Sequence, residues 1–136
     1  MSEHRESRDD VSREQARDFI SRVYFFQDLP EEDLDLIAGR CRRVQFAPGE
    51  RVFREGDVAD RFYIVLSGTV EVWKDYEAES RDLLATHSSG GLFGEMALVD
   101  ELPRSATIVA RDPVELLYLP RSDFRQMLRE RSSISL

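Results

Sequence analysis

The residues of this chain that are best suited to chemistry lie in the segment from Phe93 to Ala110. A carboxylate, Glu95, follows Gly94 directly, and an arginine, Arg104, follows a proline further along. The segment is too apolar for a free loop and too interrupted by glycine and proline for a strand. We therefore expect a one-turn helix from Glu95 to Val99, with the carboxylate at its start and the arginine beyond its end.

Such a turn has the chemistry of an anion site. Its first backbone N–H groups have no partner within the helix and point at whatever lies beyond the N-terminus. The planar guanidinium of Arg104 can hold two oxygens of a phosphate at once. Glu95 would be unfavourable beside an anion unless it accepts hydrogen bonds from ligand hydroxyls or from an arginine. The pattern thus indicates a small ligand that carries both a hydroxyl group and an anion.

Composition restricts the classes of protein that can hold this site. A chain of 136 residues with 41% apolar residues fits one domain with a single core. The formal net charge of −8 opposes direct binding to nucleic acid or to an anionic membrane surface. No apolar run approaches the roughly twenty residues that span a bilayer. The single cysteine, Cys41, is expected to be a buried thiol and fits a reducing cytoplasm.

Helical patterns occupy the first third of the chain and its end. We expect a disordered tail over residues 1–10, because six of these residues are charged, and one domain over 11–136. Apolar residues at three- and four-residue intervals predict helices over 12–24 and 30–41. A last helix is predicted over 122–131, where Ser122 can cap the first turn.

Between these helices, from about 43 to 119, the apolar period becomes that of strands. Short runs of β-branched and aromatic residues alternate with turn signals such as Pro48-Gly49 and Ser67-Gly68. The fold class is therefore mainly β with flanking helices, an antiparallel β-barrel or jelly roll of about eight short strands. The strand runs are 44–46, 51–53, 62–66, 69–73, 83–85, 107–110 and 115–119.

At this point the sequence resembles the cyclic nucleotide-binding domain family. The phosphate-binding cassette of that family reads F-G-E, a hydrophobic residue, A-L, a short spacer, P-R, a small residue and A. Here it reads Phe93-Gly94-Glu95-Met96-Ala97-Leu98 and then Pro103-Arg104-Ser105-Ala106. The resemblance extends from about Phe25 to Leu128, and includes the strand Phe62 to Leu66 that ends at Ser67-Gly68.

The resemblance implies a role for each matching residue. Glu95 would accept a hydrogen bond from the ribose 2′-hydroxyl, and Arg104 would pair with the cyclic phosphate. The backbone at Gly94, the N–H groups of Met96 and Ala97 and the hydroxyl of Ser105 would complete the phosphate site, although Ser105 fits equally well as a plain first strand residue. Leu98 would move inward on binding and pack against Phe124, so that the last helix swings as a hinge.

The implied ligand is a purine cyclic nucleotide, with cyclic AMP favoured over cyclic GMP, and no cofactor. A serine directly after the arginine occurs in bacterial cyclic AMP sensors of the family, whereas a threonine there often accompanies cyclic GMP. The family often covers the base with a lid helix beyond the hinge helix. For this chain, three alternatives stay open: a partner subunit supplies the lid, the base is partly exposed, or the chain is a fragment.

Other classes of function are less well supported by the residues. A structural or docking domain that keeps the fold without nucleotide is the alternative. A barrel enzyme is disfavoured because no nucleophile has a base motif beside it, and no metal site is expected, since the only histidine besides His4 is His87. His87 is interpreted as a strand-end residue near the surface. An effector protein or subunit is implied without being identifiable, and a homodimer is compatible with the sequence.

Overall fold

The computed structural model describes residues 5–7, 14, 17, 18, 20, 21, 28–94 and 102–130. Within this part of the chain, two helices and nine strands have defined bounds. The helices are α1 (Glu31–Arg40) and α2 (Arg121–Glu130). The strands are β1 (Arg5–Ser7), β2 (Arg42–Phe46), β3 (Arg51–Phe53), β4 (Arg61–Ser67), β5 (Val70–Lys74), β6 (Asp82–His87), β7 (Leu92–Phe93), β8 (Thr107–Ala110) and β9 (Val114–Pro120).

The strands form two antiparallel sheets. The first sheet has the order β1-β2-β9-β4-β7 and the second the order β3-β8-β5-β6. Among the described strands, every ladder joins two strands of the same sheet, and none joins one sheet to the other. The two sheets pack against each other through a shared apolar cluster, so the architecture is a jelly-roll sandwich. The prediction of an antiparallel β fold with flanking helices is confirmed, with a sandwich in place of a closed barrel.

The strands β4 and β9 form the centre of the molecule because both of their faces are buried. In β4, Phe62, Ile64 and Leu66 belong to the cluster beneath the helices, which also contains Phe124. The alternate residues Tyr63 and Val65 belong to the cluster between the two sheets. This two-sided burial explains why the strand is an unbroken apolar run rather than an alternation of apolar and polar residues.

The helices lie close to their expected positions. The helix expected over 30–41 begins at Glu31 and ends at Arg40, with Pro30 at the N-cap rather than inside the first turn. The helix expected over 122–131 begins at Arg121, and its described residues end at Glu130. Of the helix expected over 12–24, Glu14, Arg17, Asp18 and Ile20 are helical, while its bounds and the capping pair at 12 and 15 lie outside the described residues. No helix among the described residues is both long and apolar enough to cross a membrane.

The N-terminal segment differs from the expectation of a disordered tail. Residues Arg5–Ser7 form a strand that pairs antiparallel with β2, with Glu6 opposite Val44. Without this strand, β2 would leave its outer row of backbone N–H and C=O groups unpaired at the edge of the sheet. The pairing is made by the backbone, and the sequence of this segment is polar, which is why composition did not predict a strand here.

The turn at Gly68 is a close approach that requires glycine. Its φ is +84°, and a Cβ there would collide with the Pro113 carbonyl oxygen and lie 2.7 Å from Val114 Cγ2. Gly49 has the same φ of +84°, but a Cβ there would meet nothing within 4 Å. Gly49 belongs to a Pro48-Gly49 turn closed by a hydrogen bond from Glu50 N to Ala47 O of 3.0 Å.

These two glycines allow backbone strain to be separated from steric collision. Gly49→Ala should lower the free energy of unfolding by about 1–2 kcal/mol, the cost of a left-handed conformation for a residue with a Cβ. Gly68→Ala should lower the free energy of unfolding by the same amount for the backbone conformation, and by about 1–3 kcal/mol more because its Cβ is overpacked. Urea unfolding of both variants measures the difference, and equal losses would contradict the close packing of Gly68 against Pro113.

Candidate functional site

The candidate site is a cavity of about 470 Å³ next to the segment 102–106. This volume lies within the range of small-molecule clefts. Among the described residues that line it, three have polar side chains, namely His87, Arg104 and Ser105, and the others are apolar or glycine. These others are Phe53, Ala59, Val72, Leu92, Phe93, Gly94, Leu102, Pro103, Ala106 and Ile108.

The backbone of Arg104 is fixed to the turn between β3 and β4. Its N–H donates to the Asp57 carbonyl at 2.8 Å, and its own carbonyl accepts from Gly56 N–H at 2.8 Å. Gly56 has a φ of +92° in a turn that Asp57 N closes onto Arg54 O at 3.0 Å. The Glu55-Gly56-Asp57 turn thus holds the arginine-bearing segment in register with the sheet.

The guanidinium of Arg104 is positioned from three sides. Nη2 donates a 2.6 Å hydrogen bond to the carbonyl of Arg61, the first residue of β4. Nη1 makes a longer contact of 3.5 Å to the Gly94 carbonyl. The ring of Phe53, at the end of β3, lies 4.1 Å from Cζ in a cation–π contact. Both sheets therefore contribute to the placement of one charged group.

The electrostatic environment of Arg104 is unusual for an arginine. The residue is 7% exposed, and among the described residues no carboxylate pairs with it. Burial lowers the pKa of Arg104, whereas Tyr63, once its phenol is ionised, and the Asp60 carboxylate act in the opposite direction. Nε is buried without a hydrogen-bond partner in the described structure. Since arginine stays protonated in proteins, the site holds a positive charge that is only partly compensated.

Gly94 leaves space for the Arg104 guanidinium because it has no side chain. Its φ is +74°, and a Cβ at this position would lie 2.6 Å from Arg104 Nη1 and 3.5 Å from the Arg61 carbonyl oxygen. Any side chain there would need both an unfavourable backbone conformation and displacement of the arginine. The glycine that the sequence places before Glu95 is therefore required by the arginine ten residues later.

The structure brings together part of the predicted site. Gly94, Arg104 and Ser105 line the cavity, with Ser105 exposed. The predicted residues Glu95, Met96, Ala97 and Leu98 lie outside the described residues, as does the one-turn helix expected over 95–99. Phe124 is fully buried in the cluster beneath the helices and does not line the cavity.

Sequence reasoning missed several residues of the cavity. No local sequence pattern predicts the contact between Phe53 and Arg104, because the two residues are far apart in the chain. His87 does lie at a strand end, as expected, but it is half-buried and faces the cavity rather than only the surface. Its ring stacks on Phe93 with centroids 5.8 Å apart. The pairing of strands, and not the local pattern, places these rings.

The first residue of α2 contacts the loop that precedes β4. Arg121 N donates to the Asp60 carbonyl at 2.7 Å, and the Arg121 guanidinium donates to the Ala59 carbonyl. Arg61, the residue directly after Asp60, supplies the carbonyl that accepts the hydrogen bond from Arg104 Nη2. The C-terminal helix and the charged group of the cavity are thus attached to the same short segment of backbone.

Comparison with known proteins identifies the family of this arrangement. Residues 43–131 match the model of the cyclic nucleotide-binding domain. The Cyclic AMP receptor protein of Thermus thermophilus is 36% identical over 104 residues, 76% of this chain and 48% of its own length. The cAMP-dependent protein kinase regulatory subunit of Blastocladiella emersonii is 32% identical over 124 residues, 91% of this chain and 31% of its own length. A cGMP-dependent protein kinase of Caenorhabditis elegans is 31% identical over 88% of this chain and 16% of its own length.

A solved structure shows the same fold. The regulatory domain of Toxoplasma gondii PKA in complex with cAMP superposes with a TM-score of 0.75 at 25% identity, over 87% of this chain and 46% of that one. The present chain spans less than half the length of the curated relatives named above.

The contact between Gly94 and Arg104 can be tested with a matched pair of substitutions. Gly94→Ala and Gly56→Ala both place a Cβ at positive φ beside the Arg104 segment, but a Cβ at Gly56 would meet nothing within 4 Å. Both should lose about 1–2 kcal/mol of unfolding free energy from the positive φ, and Gly94→Ala should lose more because the buried guanidinium must also move. Gly94→Ala alone should also shift the Arg104 Nε–H resonance in a ¹⁵N NMR spectrum. An unshifted resonance in Gly94→Ala would contradict the observed placement of the guanidinium.

Proposed function

This chain belongs to the cyclic nucleotide-binding domain family, and we propose that it binds a purine cyclic nucleotide in the Arg104 cavity and acts as a regulatory sensor module. The cyclic phosphate occupies the space next to the guanidinium. The base extends along the apolar wall of the cavity. Binding alters the position of α2, and an effector protein or subunit responds to that change.

The observation that carries the proposal is the incompletely compensated charge of Arg104. A buried charge without an ionic partner is costly to keep in a folded protein. The guanidinium is nevertheless held in place by the Arg61 carbonyl and by Phe53, while its Nε has no partner among the described groups. A phosphate diester supplies the missing negative charge and accepts two parallel hydrogen bonds from the planar guanidinium.

The remaining roles follow the family cassette. Glu95 accepts a hydrogen bond from the ribose 2′-hydroxyl, and the N–H groups of Met96 and Ala97 contact the phosphate. Ser105 adds its hydroxyl, and its place on the cavity wall supports this assignment. Gly94 keeps the space beside Nη1 open, so that the ligand and the guanidinium can approach each other.

Cyclic AMP is the proposed ligand in preference to cyclic GMP. Serine at position 105, directly after the arginine, matches the bacterial cyclic AMP sensors. Two of the three relatives compared above are named for cyclic AMP, and one for cyclic GMP. The apolar wall formed by Val72, Leu92 and Ile108 suits the flat face of either purine.

The switch is proposed to run through Leu98 and Phe124. When the cassette closes on the phosphate, Leu98 moves inward and repacks against Phe124, and α2 shifts with it. Phe124 is fully buried among apolar side chains. Because such cores are closely packed, a change in the packing around Phe124 shifts the position of α2. The nucleotide shifts the equilibrium only by as much as it binds the closed form more tightly.

Calorimetry with Arg104 variants tests the ligand and its phosphate contact. The wild type should bind cyclic AMP more tightly than cyclic GMP. Arg104→Ala should lose about 2–5 kcal/mol of binding free energy, roughly 30-fold or more in affinity, because a charge-assisted contact is removed from a desolvated site. Arg104→Lys should keep the charge but bind more weakly than wild type, since an ammonium cannot donate in the bidentate geometry.

The matched control is Arg111→Ala. Arg111 is a more exposed arginine that pairs with Glu71 at 2.9 Å and does not line the cavity, so its loss should leave affinity unchanged. Thermal unfolding establishes that each variant is folded. Absence of binding to wild-type protein at millimolar nucleotide would favour the nucleotide-independent docking domain, and full affinity in folded Arg104→Ala would place the phosphate elsewhere.

Hydrogen exchange tests the switch separately from binding. Cyclic AMP should change the amide exchange rates of α2 in the wild type. Leu98→Ala should still bind nucleotide through Arg104 but should show a smaller change in α2, because the residue that couples the cassette to Phe124 is shortened. Identical exchange in α2 with and without nucleotide would contradict the proposed movement.

A further inference from the structure

The cavity has a polar group on a second element, apart from the Arg104-Ser105 segment. Arg104 and Ser105 are neighbours in the chain, whereas His87 enters the cavity from the end of β6. Apart from these three, the described lining residues have apolar side chains or are glycine. An imidazole that faces the cavity from among apolar neighbours on the described wall is a specific feature, because polar groups in ligand cavities fix orientation and specificity.

The topology of the second sheet separates His87 from Arg104. Phe53, which underlies the guanidinium, is on β3 at one edge, and His87 is on β6 at the other. The strands β8 and β5 lie between them and contribute Ile108 and Val72 to the cavity wall. Inside the cavity the Phe93 ring lies between the two sides, with its centroid 5.8 Å from that of His87 and 6.0 Å from that of Phe53. A purine cyclic nucleotide with a hydrogen bond at each end can bridge the two sides.

Two contacts hold the imidazole in position. Its ring stacks on Phe93 with an interplanar angle of 17°. Gly91 lies against its other edge, where a Cβ would be 3.1 Å from His87 Cβ and 3.5 Å from Nδ1. Within the described residues, neither ring nitrogen has a hydrogen-bond partner, so the ring is oriented by packing while its polar atoms stay available to a ligand.

We propose that His87 is a specificity-determining residue that hydrogen-bonds the purine ring of the bound nucleotide. This inference rests on the proposed function and extends it from the phosphate to the base. A neutral imidazole has one donor and one acceptor nitrogen, and a purine presents both kinds of group on its edges. The base stacks on the apolar wall between Arg104 and His87, and the imidazole contact favours the two-ring base over a pyrimidine, whose single ring ends short of β6.

The test compares a purine and a pyrimidine ligand with the same sugar phosphate. Affinities of the full chain for cyclic AMP and cyclic CMP are measured by calorimetry, with competition for the weaker ligand. His87→Leu should weaken cyclic AMP binding about 5- to 20-fold, the effect of losing one buried hydrogen bond. The same substitution should change cyclic CMP binding less than 2-fold. His87→Gln, which keeps a neutral donor and acceptor, should restore cyclic AMP affinity to within about 3-fold of wild type.

Thr86→Leu serves as the matched control, since Thr86 is the exposed neighbour of His87 on the same strand and does not line the cavity. Equal losses for both nucleotides in His87→Leu, or no rescue by His87→Gln, would overturn the base contact and reduce His87 to a packing residue. That result leaves Arg104-dependent binding intact and so differs from failure of the proposed function, in which wild-type protein binds neither nucleotide and both proposals fall.

Discussion

The buried guanidinium of Arg104 is the group on which the arrangement of the cavity depends. It is held between the ring of Phe53 and the carbonyl of Arg61, with its backbone fixed to the turn before β4. A buried charge in this position costs free energy, which its hydrogen bond and cation–π contact return only in part. The protein meets this cost with packing elsewhere and keeps an anion-binding group oriented in advance, which lowers the entropic cost of capturing a ligand.

The positioning of that group requires both sheets. Phe53 comes from the second sheet, whereas Arg61 and Gly94 come from β4 and from the chain just after β7 in the first. Like its neighbour β9, the strand β4 is buried on both faces. Its first residue therefore provides a rigid carbonyl for Arg104, and the neighbouring carbonyls of Ala59 and Asp60 attach α2 to the same segment. The fold is a scaffold that brings a charge and a helix to one short piece of backbone.

Much of this could be predicted from the sequence, because the relevant signals are local. Glycine and proline turns and short apolar runs marked most of the strands, and the F-G-E and P-R segments identified the family. The contacts of Arg104 could not be predicted, since Phe53 and Arg61 approach it only after nonlocal strand pairing. The strand Arg5–Ser7 was missed for a related reason, since it too depends on a nonlocal pairing. The unpaired backbone groups at the edge of a sheet can pair with another segment even when the side chains of that segment are polar. His87 was undervalued because a single histidine gives no pattern, and only the order of the strands shows that it faces the cavity.

A crystal structure of the protein with cyclic AMP tests the central claim most directly. The account predicts that two oxygens of the cyclic phosphate lie at the charge-assisted hydrogen-bond distance of about 2.7–2.9 Å from the Arg104 guanidinium. Phe53 should remain stacked on the guanidinium in that complex. A phosphate bound away from Arg104, with the guanidinium still held only by the Arg61 and Gly94 carbonyls, would contradict the account.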